Sequence, residues 1–217
     1  DAPPLLEVPA MQRRRIDQLG RMAVQAAWWC SQATATHTPL IFASRHGDVR
    51  RSFELLEQLA RDQPLSPTQF GLSVHNAIAA LYSIVRGERG NYLAIAAGGA
   101  TAETALVEAA GLLADGSPEV LVVVYDAPLP AAYVDHADES GALYAWSWRV
   151  RAAGDGRRLS LDWQPSIADD TAVVVAQTHA RTLALPAGLD VLRFFLTDND
   201  VREHCHDGLR WVWRHHG

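Results

Sequence analysis

Apolar residues recur at helical spacing in three segments of the N-terminal third of the chain. Over residues 11–33 they fall three and four positions apart, which predicts an amphipathic helix with three arginines at its solvent-exposed start. The same spacing predicts helices over 49–63 and 74–85, and Asp48 stands where it can cap the first of these. Residues 39–44 (PLIFAS) predict a short buried strand between the first two helices.

The centre of the chain is more apolar than the rest. Residues 92–97 (YLAIAA) predict a strand, and 119–125 (EVLVVVY) form a continuous β-branched run typical of a strand covered on both faces. Between them, 101–114 (TAETALVEAAGLLA) predicts a helix that is apolar around most of its circumference. Such a helix has to be buried on most sides, so we expect it to lie between two sheets.

The C-terminal third predicts further strands and a short helix. Residues 142–150 (ALYAWSWRV) and 158–163 (RLSLDW) alternate in polarity and are separated by a Gly-Asp-Gly turn, which predicts an antiparallel hairpin. A last strand is predicted at 172–176 and a helix at 188–196. The two tryptophans of 209–213 are expected to pack back on the body of the protein.

Composition narrows the class of protein. The chain has 217 residues, 48% hydrophobic and 20% charged, which predicts one globular domain spanning 1–217. The net charge of −6 argues against nucleic acid or an anionic membrane as main partner. The sequence contains no lysine, which excludes Schiff-base and P-loop lysine chemistry. No apolar run reaches the length of a signal peptide core or a membrane span, and the two cysteines do not suggest a disulfide framework, so we expect a cytoplasmic chain.

Motifs that bind metals or activate nucleophiles are scarce. The sequence lacks G-x-S-x-G, G-x-G-x-x-G, C-x-x-C and H-E-x-x-H. Potential metal ligands gather near the C-terminus: His204, Cys205, His206, His215 and His216. Their spacing matches no closed ligand set, which favours a solvated, histidine-rich tail. We therefore predict neither a metal site nor a cofactor.

Two polar groups are candidates for a pocket or functional loop. Ser44, Arg45 and His46 follow the first predicted strand, where α/β folds place functional loops. The alternative is a turn whose polar groups satisfy the ends of the strand and helix. His75 and Asn76 lie on the third predicted helix beside its apolar stripe, where a hydrogen-bonded structural pair is the more common reading.

Four runs in fixed order resemble a known family. They are FASRHGDVRRSFELLEQLA (42–60), LSPTQFGLSVHNAIAALYSIVRG (65–87), AIAAGGATAETALVEAAGLLADG (94–116) and VLVVVYDAPLP (120–130). Together they are similar to the N-terminal half of β-ketoacyl synthases, in the short, divergent branch of aryl polyene and xanthomonadin-type pigment pathways. The resemblance implies an α/β fold, half of a thiolase-like fold, with a mixed sheet and a buried central helix.

The resemblance also implies that the usual nucleophile is missing. An active ketosynthase carries its nucleophilic cysteine at the start of the central helix, where the helix dipole and backbone amides lower its pKa and hold the oxyanion. Matching helix to helix puts Gly99, preceded by Gly98, at that position. Cys30 and Cys205 are expected to lie too far away to substitute. The histidines that decarboxylate the extender belong to the family's C-terminal half, which we expect this chain to be too short to hold.

These features predict an accessory, non-catalytic subunit resembling a chain-length factor. It would act with a ketosynthase on chains carried by acyl carrier protein, which it meets through that partner, in polyene or fatty-acid-like biosynthesis. One alternative is a stand-alone acyltransferase or thioesterase that uses Ser73, His75 or Cys30. The other is a structural homodimeric scaffold.

The strand before the central helix is the predicted dimer contact. In thiolase-like folds this strand pairs across a two-fold axis, and as a bare edge it would be an aggregation liability. The residues concerned are Tyr92, Leu93, Ala94, Ile95, Ala96 and Ala97. We expect a heterodimer with the ketosynthase, or a homodimer when that partner is absent.

Overall fold

The computed structural model describes residues 2–31, 37–154, 158–166, 185–197 and 199–216. The helices are α1 (Ala10–Arg13), α2 (Gln18–Cys30), α3 (Val49–Ala60), α4 (Pro67–Leu72), α5 (Ala77–Arg86), α6 (Thr101–Ala114) and α7 (Ala187–Leu196). The strands are β1 (Leu40–Ala43), β2 (Tyr92–Ile95), β3 (Val120–Asp126), β4 (Tyr144–Val150), β5 (Arg158–Pro165), β6 (Val201–His206) and β7 (Leu209–His216). The strand predicted at 172–176 lies outside the described residues.

Within the described residues, four strands form a mixed sheet at the centre of the fold, in the order β2-β1-β3-β4. β1 runs parallel to both β2 and β3, while β4 is antiparallel to β3. Every residue of β3 is buried, which confirms the strand predicted from its β-branched run. Three strands of the described ranges form a second, antiparallel sheet in the order β5-β7-β6.

The two faces of the central sheet bury different sets of side chains. Because side chains alternate along a strand, Phe42 and Val123 point into a cluster with α2 and α5, whereas Ile41 and Val122 point into a cluster with α6 and α7. Trp213 of β7 joins the second cluster. The mixed sheet is therefore covered by helices on both faces, as the predicted fold class requires.

The central helix α6 is most completely buried over its first turn and keeps only one buried side chain, Ala109, in its second half. Its buried residues are Thr101, Ala102, Glu103, Ala105 and Ala109. Glu108 and Gly111, further along, are exposed. The first turn of α6 lies between the central sheet and the second sheet, so burial between two sheets is confirmed there, but the helix is not buried on most sides along its whole length.

The predicted hairpin between β4 and β5 is wrong. β4 pairs with β3 in the central sheet, and β5 pairs with β7 in the other sheet. The physical reason is burial: Tyr144 and Trp146 of β4 lie inside the core cluster around β3, whereas most of β5 is half-buried or exposed. Alternating polarity predicted two strands correctly, but it carries no information about which strands pair.

Several helix boundaries differ from those predicted. The first helix is divided, because the side chain of Asp17 accepts from the backbone N–H of Gly20, at 2.8 Å, and starts α2 there. The helix predicted over 74–85 is α5, which starts at Ala77. His75 and Asn76 therefore lie in the turn before this helix and not on it. Asp48 caps α3 as predicted, by accepting from the N–H of Arg51.

The apolar face of the amphipathic helix α3 is only partly covered: Phe53 packs on the ring of Tyr133, but the leucines further along that face do not pack inward. Leu55 is the buried residue of this helix, while Leu56 and Leu59 are 54% and 58% exposed. Helical spacing defines which side chains share a face, but only the neighbouring elements decide whether that face is covered. Among the described residues, no helix has the length and apolarity needed to cross a membrane.

Candidate functional site

The segment before α6 forms a tight turn around two glycines. β2 ends at Ile95, so Ala96 and Ala97 do not belong to the strand predicted over 92–97. Gly98 has a φ of +52°, a left-handed conformation that favours glycine, and it opens a 3-10 turn, Gly98–Ala100. The Thr101 hydroxyl donates to the carbonyl of Gly98, at 2.7 Å, and so ties the turn to the start of the helix.

The imidazole ring of His206 lies against both glycines. The backbone N–H of Gly99 donates to His206 Nε2, at 3.0 Å. A Cβ atom added at Gly99 would lie 2.9 Å from Nδ1 of this ring, and one added at Gly98 would lie 2.5 Å from Nε2. Real Cβ atoms do not approach other atoms so closely, so only glycine fits at these two positions while the ring stays in place.

His206 belongs to β6 and, together with Gly99, lines a cleft of about 280 Å³. Burial lowers the pKa of His206. The nearby His204 and the positive charge of Arg45 lower this pKa further, while the negative charges of Asp207 and Asp138 raise it by less. The ring therefore favours its neutral form, which is the form that can accept from Gly99. The residues lining the cleft include Gly99, Glu139, Asp190, Arg202, Cys205 and His206.

A buried carboxylate connects the wall of this cleft to α6. Glu103 is fully buried and accepts from Arg202 Nη1 at 2.9 Å and from the indole N–H of Trp213 at 3.2 Å. His204 Nδ1 lies 3.3 Å from the same oxygen. Burial alone raises the pKa of Glu103, but His204 and the charge of Arg202 outweigh it and hold the pKa below its usual value.

The network continues from Arg202 to α7. Arg202 Nε donates to Asp190 at 2.7 Å, and the more exposed Arg193 also pairs with Asp190. One chain of charge pairs thus joins α6, β6 and α7 around the cleft.

A second polar cluster lies at the carboxyl ends of β1 and β3. Ser44 Oγ donates to Asp126 at 2.8 Å, and the backbone N–H of Arg45 donates to the same carboxylate at 3.1 Å. His75 Nε2 donates to the carbonyl of Ser44 at 2.8 Å. Burial raises the pKa of Asp126 despite the hydrogen bonds from Ser44 and Arg45. These contacts satisfy the end of β1, as in the structural alternative stated for Ser44, and His75 takes part through the backbone carbonyl of Ser44.

The two clusters meet at residues 138–140. Arg45 pairs with Asp138 at 2.5 Å and also with Glu139. Residues 138–140 line both the cleft at Gly99 and a smaller one of about 40 Å³ beside Arg45. Among the predicted pocket residues, Ser44, Arg45 and His75 come together, and Gly98 and Gly99 lie on the other side of this segment. His46 is exposed but lines the smaller cleft beside Arg45, and Asn76 is exposed.

The histidine-rich end of the chain is not a solvated tail. His204, Cys205 and His206 belong to β6, and His215 belongs to β7. Cys205, which was expected to lie too far from position 99 to substitute for the nucleophile, lines the same cleft as Gly99. Within the described ranges, no three His, Cys, Asp or Glu side chains are grouped so that they could hold a metal ion.

Sequence reasoning missed His206, Arg202 and Glu103 as members of one site. The available signal was Glu103 itself, which is the one acidic residue in the first turn of a largely apolar helix. A carboxylate in such a place needs buried donors. Nothing in the local sequence indicates that these donors come from β6 and β7.

A mixed sheet, helices on both of its faces and a central helix that starts at a buried turn define a thiolase-like α/β protein. The family model described as "Beta-ketoacyl synthase, N-terminal domain" matches residues 1–214, so the chain belongs to that family. This confirms the resemblance found in the sequence. A search of curated proteins finds no match.

Solved structures share the fold. A chain in the complex of the ketosynthase ApeO with its chain length factor ApeC, from Xenorhabdus doucetiae, is 24% identical with a TM-score of 0.79, covering 99% of this chain and 83% of its own. The ishigamide ketosynthase/chain length factor is 18% identical with a TM-score of 0.61, covering 81% of this chain and 56% of its own. A β-ketoacyl synthase from Burkholderia phymatum STM815 is 13% identical with a TM-score of 0.51, covering 64% and 38%.

Proposed function

We propose that this chain is an accessory, chain-length-factor-like member of the β-ketoacyl synthase family. It acts in the cytoplasm beside a ketosynthase, on chains carried by acyl carrier protein, in polyene or fatty-acid-like biosynthesis. The observation that carries the proposal is the start of the central helix, where a ketosynthase needs a cysteine and this chain has Gly99. Two of the structures that share its fold contain a ketosynthase together with a chain length factor.

The chemistry of condensation explains why Gly99 matters. A ketosynthase first transfers the acyl chain from a thioester to its own cysteine, whose thiolate attacks the thioester carbonyl and expels the carrier thiol. Glycine offers no atom that can form this bond. The backbone N–H of Gly99, which would stabilise the developing oxyanion, already donates to His206.

The position of β2 supports a partner subunit. β2 is the outer strand of the central sheet, so one row of its backbone groups has no neighbouring strand within the described chain. α5 contacts β2, α4 contacts α5, and α3 contacts α4. All three helices carry exposed apolar side chains. These side chains are Ile84, Phe70, Leu56 and Leu59. A ketosynthase, or a second copy of this chain, would cover this edge.

The stand-alone acyltransferase or thioesterase is the second candidate function. The structure changes which residue is its candidate nucleophile. Ser73 donates to the carbonyl of Phe70, and Cys30 packs against the core, so both have structural roles. Cys205 instead lines the cleft together with His204. This shared lining is the observation that favours the alternative, although successive residues of a strand point their side chains to opposite faces, so the thiol and the His204 imidazole lie on opposite faces of β6.

Co-purification and intact-mass analysis together separate the candidates. The tagged chain, co-expressed with the β-ketoacyl synthases of its own genome, should bring down one that carries the nucleophilic cysteine. After incubation with an acyl thioester, that synthase should gain the mass of one acyl group and this chain should gain none. Self-association alone would favour the homodimeric scaffold. An acyl adduct that disappears in Cys205→Ser would establish the enzyme and reject the accessory role.

A further inference from the structure

The contact between His206 and the glycine pair has a consequence for the position that a ketosynthase uses for its nucleophile. The ring is in contact with both Gly98 and Gly99, and it comes from a strand more than one hundred residues later in the chain. Glycine at position 99 alone would leave an open space beside the helix start. In this protein the imidazole occupies that space.

We propose that His206 is an occluding residue, which fills the volume of the missing nucleophile side chain and uses the hydrogen-bond donor of Gly99. The inference rests on the proposed accessory function and adds a second structural reason why position 99 cannot carry a nucleophile. The chain differs from a ketosynthase both by lacking a cysteine and by excluding one. A cysteine restored at position 99 would therefore not become reactive while His206 is present.

Two features hold the ring in this place. Nε2 accepts from Gly99, so the neutral ring carries its proton on Nδ1. The ring also stacks on His204, with centroids 6.1 Å apart and planes inclined by 17°. His204 is held in turn beside the buried Glu103, at 3.3 Å. The charge network behind the cleft thus supports the ring against the glycines.

The chemical test introduces a thiol and measures its accessibility. Gly99→Cys and Gly99→Cys/His206→Ala are compared for alkylation by iodoacetamide, in which the thiolate attacks the methylene carbon, a C–S bond forms and iodide leaves. The tryptic peptide from 90 to 149 contains no native cysteine, so a label on it reports the introduced thiol alone. Gly99→Cys/His216→Ala is the control, because His216 is exposed and belongs to the neighbouring strand β7.

The double variant without the imidazole should be alkylated about tenfold faster than Gly99→Cys, because the thiol otherwise has to displace the ring and break its hydrogen bond. The His216 control should react at the rate of Gly99→Cys. Equal rates in all three variants, with circular dichroism showing that each is folded, would overturn the proposal.

A measurement on the wild-type chain covers the case in which a variant does not fold. Long-range ¹H–¹⁵N correlation spectra at pH 7.5 should show His206 as the neutral tautomer with its proton on Nδ1. A proton on Nε2 would contradict the hydrogen bond from Gly99 and overturn the proposal. The outcomes are independent of the accessory function: co-purification can fail while His206 occludes position 99, and alkylation can be equal while the ketosynthase still co-purifies.

Discussion

Glu103 shows how one buried side chain can define a site. It lies in the first turn of α6, where the helix dipole favours negative charge. It accepts hydrogen bonds from Arg202 and Trp213, which belong to two strands of the second sheet. A buried carboxylate without such donors would be strongly destabilising. The contacts of Glu103 therefore attach the second sheet to the central helix and place β6 beside Gly99.

Removing the buried partner of Glu103 should destabilise the fold. Arg202→Met leaves Glu103 buried with only part of its charge compensated, so we expect a loss of about 3–5 kcal/mol in the free energy of unfolding. Arg193→Met is the matched control, because Arg193 also pairs with Asp190 but its side chain is 61% exposed, and its loss should cost less than about 1 kcal/mol. Urea denaturation followed by circular dichroism measures both. Equal losses would contradict the role given to Arg202.

At the scale of single elements, β2 has one satisfied edge and one outer edge. Leu40 N–H donates to Asn91 and Ser44 N–H donates to Ile95, so the backbone groups of Asn91 and Ile95 face β1. Backbone groups of successive residues point to opposite sides of a strand. Ala94 consequently presents its N–H to the outer edge, where a partner strand would pair.

Two proline substitutions separate the edges of β2. Ala94→Pro removes only an N–H that points to the outer edge, and edge strands tolerate proline at such positions. The chain should therefore stay folded but no longer associate with a partner strand. Ile95→Pro removes an N–H that faces β1 and should cost about 1–3 kcal/mol of stability. Sedimentation reports the association and thermal unfolding reports the stability. An Ala94→Pro chain that associates as the wild type does would reject β2 as the dimer strand.

For the whole molecule, the free energy of unfolding should depend on pH through groups whose pKa values shift in opposite directions on folding. The lowered pKa of His206 means that the unfolded chain binds more protons as the pH falls below 6.5, the usual value, so stability is lost there. Glu103 adds a further loss below its usual value of 4.5. Asp126, whose pKa burial raises, has the opposite effect, because its folded form takes up a proton more readily.

The free energy of unfolding should therefore fall as the pH is lowered from 7 to 5.5, and His206→Asn should reduce this fall. Asparagine keeps an oxygen that can accept from Gly99 but does not titrate. Urea denaturation at a series of pH values provides the measurement. A wild-type stability that is constant over this range, or an unchanged slope in His206→Asn, would show that His206 does not keep a lowered pKa in the folded chain.

Much of the central sheet was predictable from local pattern. The β-branched run of β3, the cap at Asp48 and the helix over 101–114 all follow from side-chain volume and spacing, which act over a few residues. Local pattern could not predict that Leu56 and Leu59 of α3 face outward. It also could not predict that β4 and β5 pair with strands of different sheets. Periodicity defines a face or a strand, and the neighbours that cover it come from elsewhere in the chain.

By itself the sequence determined that position 99 carries no side chain, and its ordered motifs determined the family. Only the tertiary structure decided what occupies the space beside that glycine. Gly99 and His206 are 107 positions apart, and their contact exists because β6 is held against α6 by Arg202 and Glu103. Contacts at such a separation depend on the packing of whole sheets, and a single sequence contains no local signal for them.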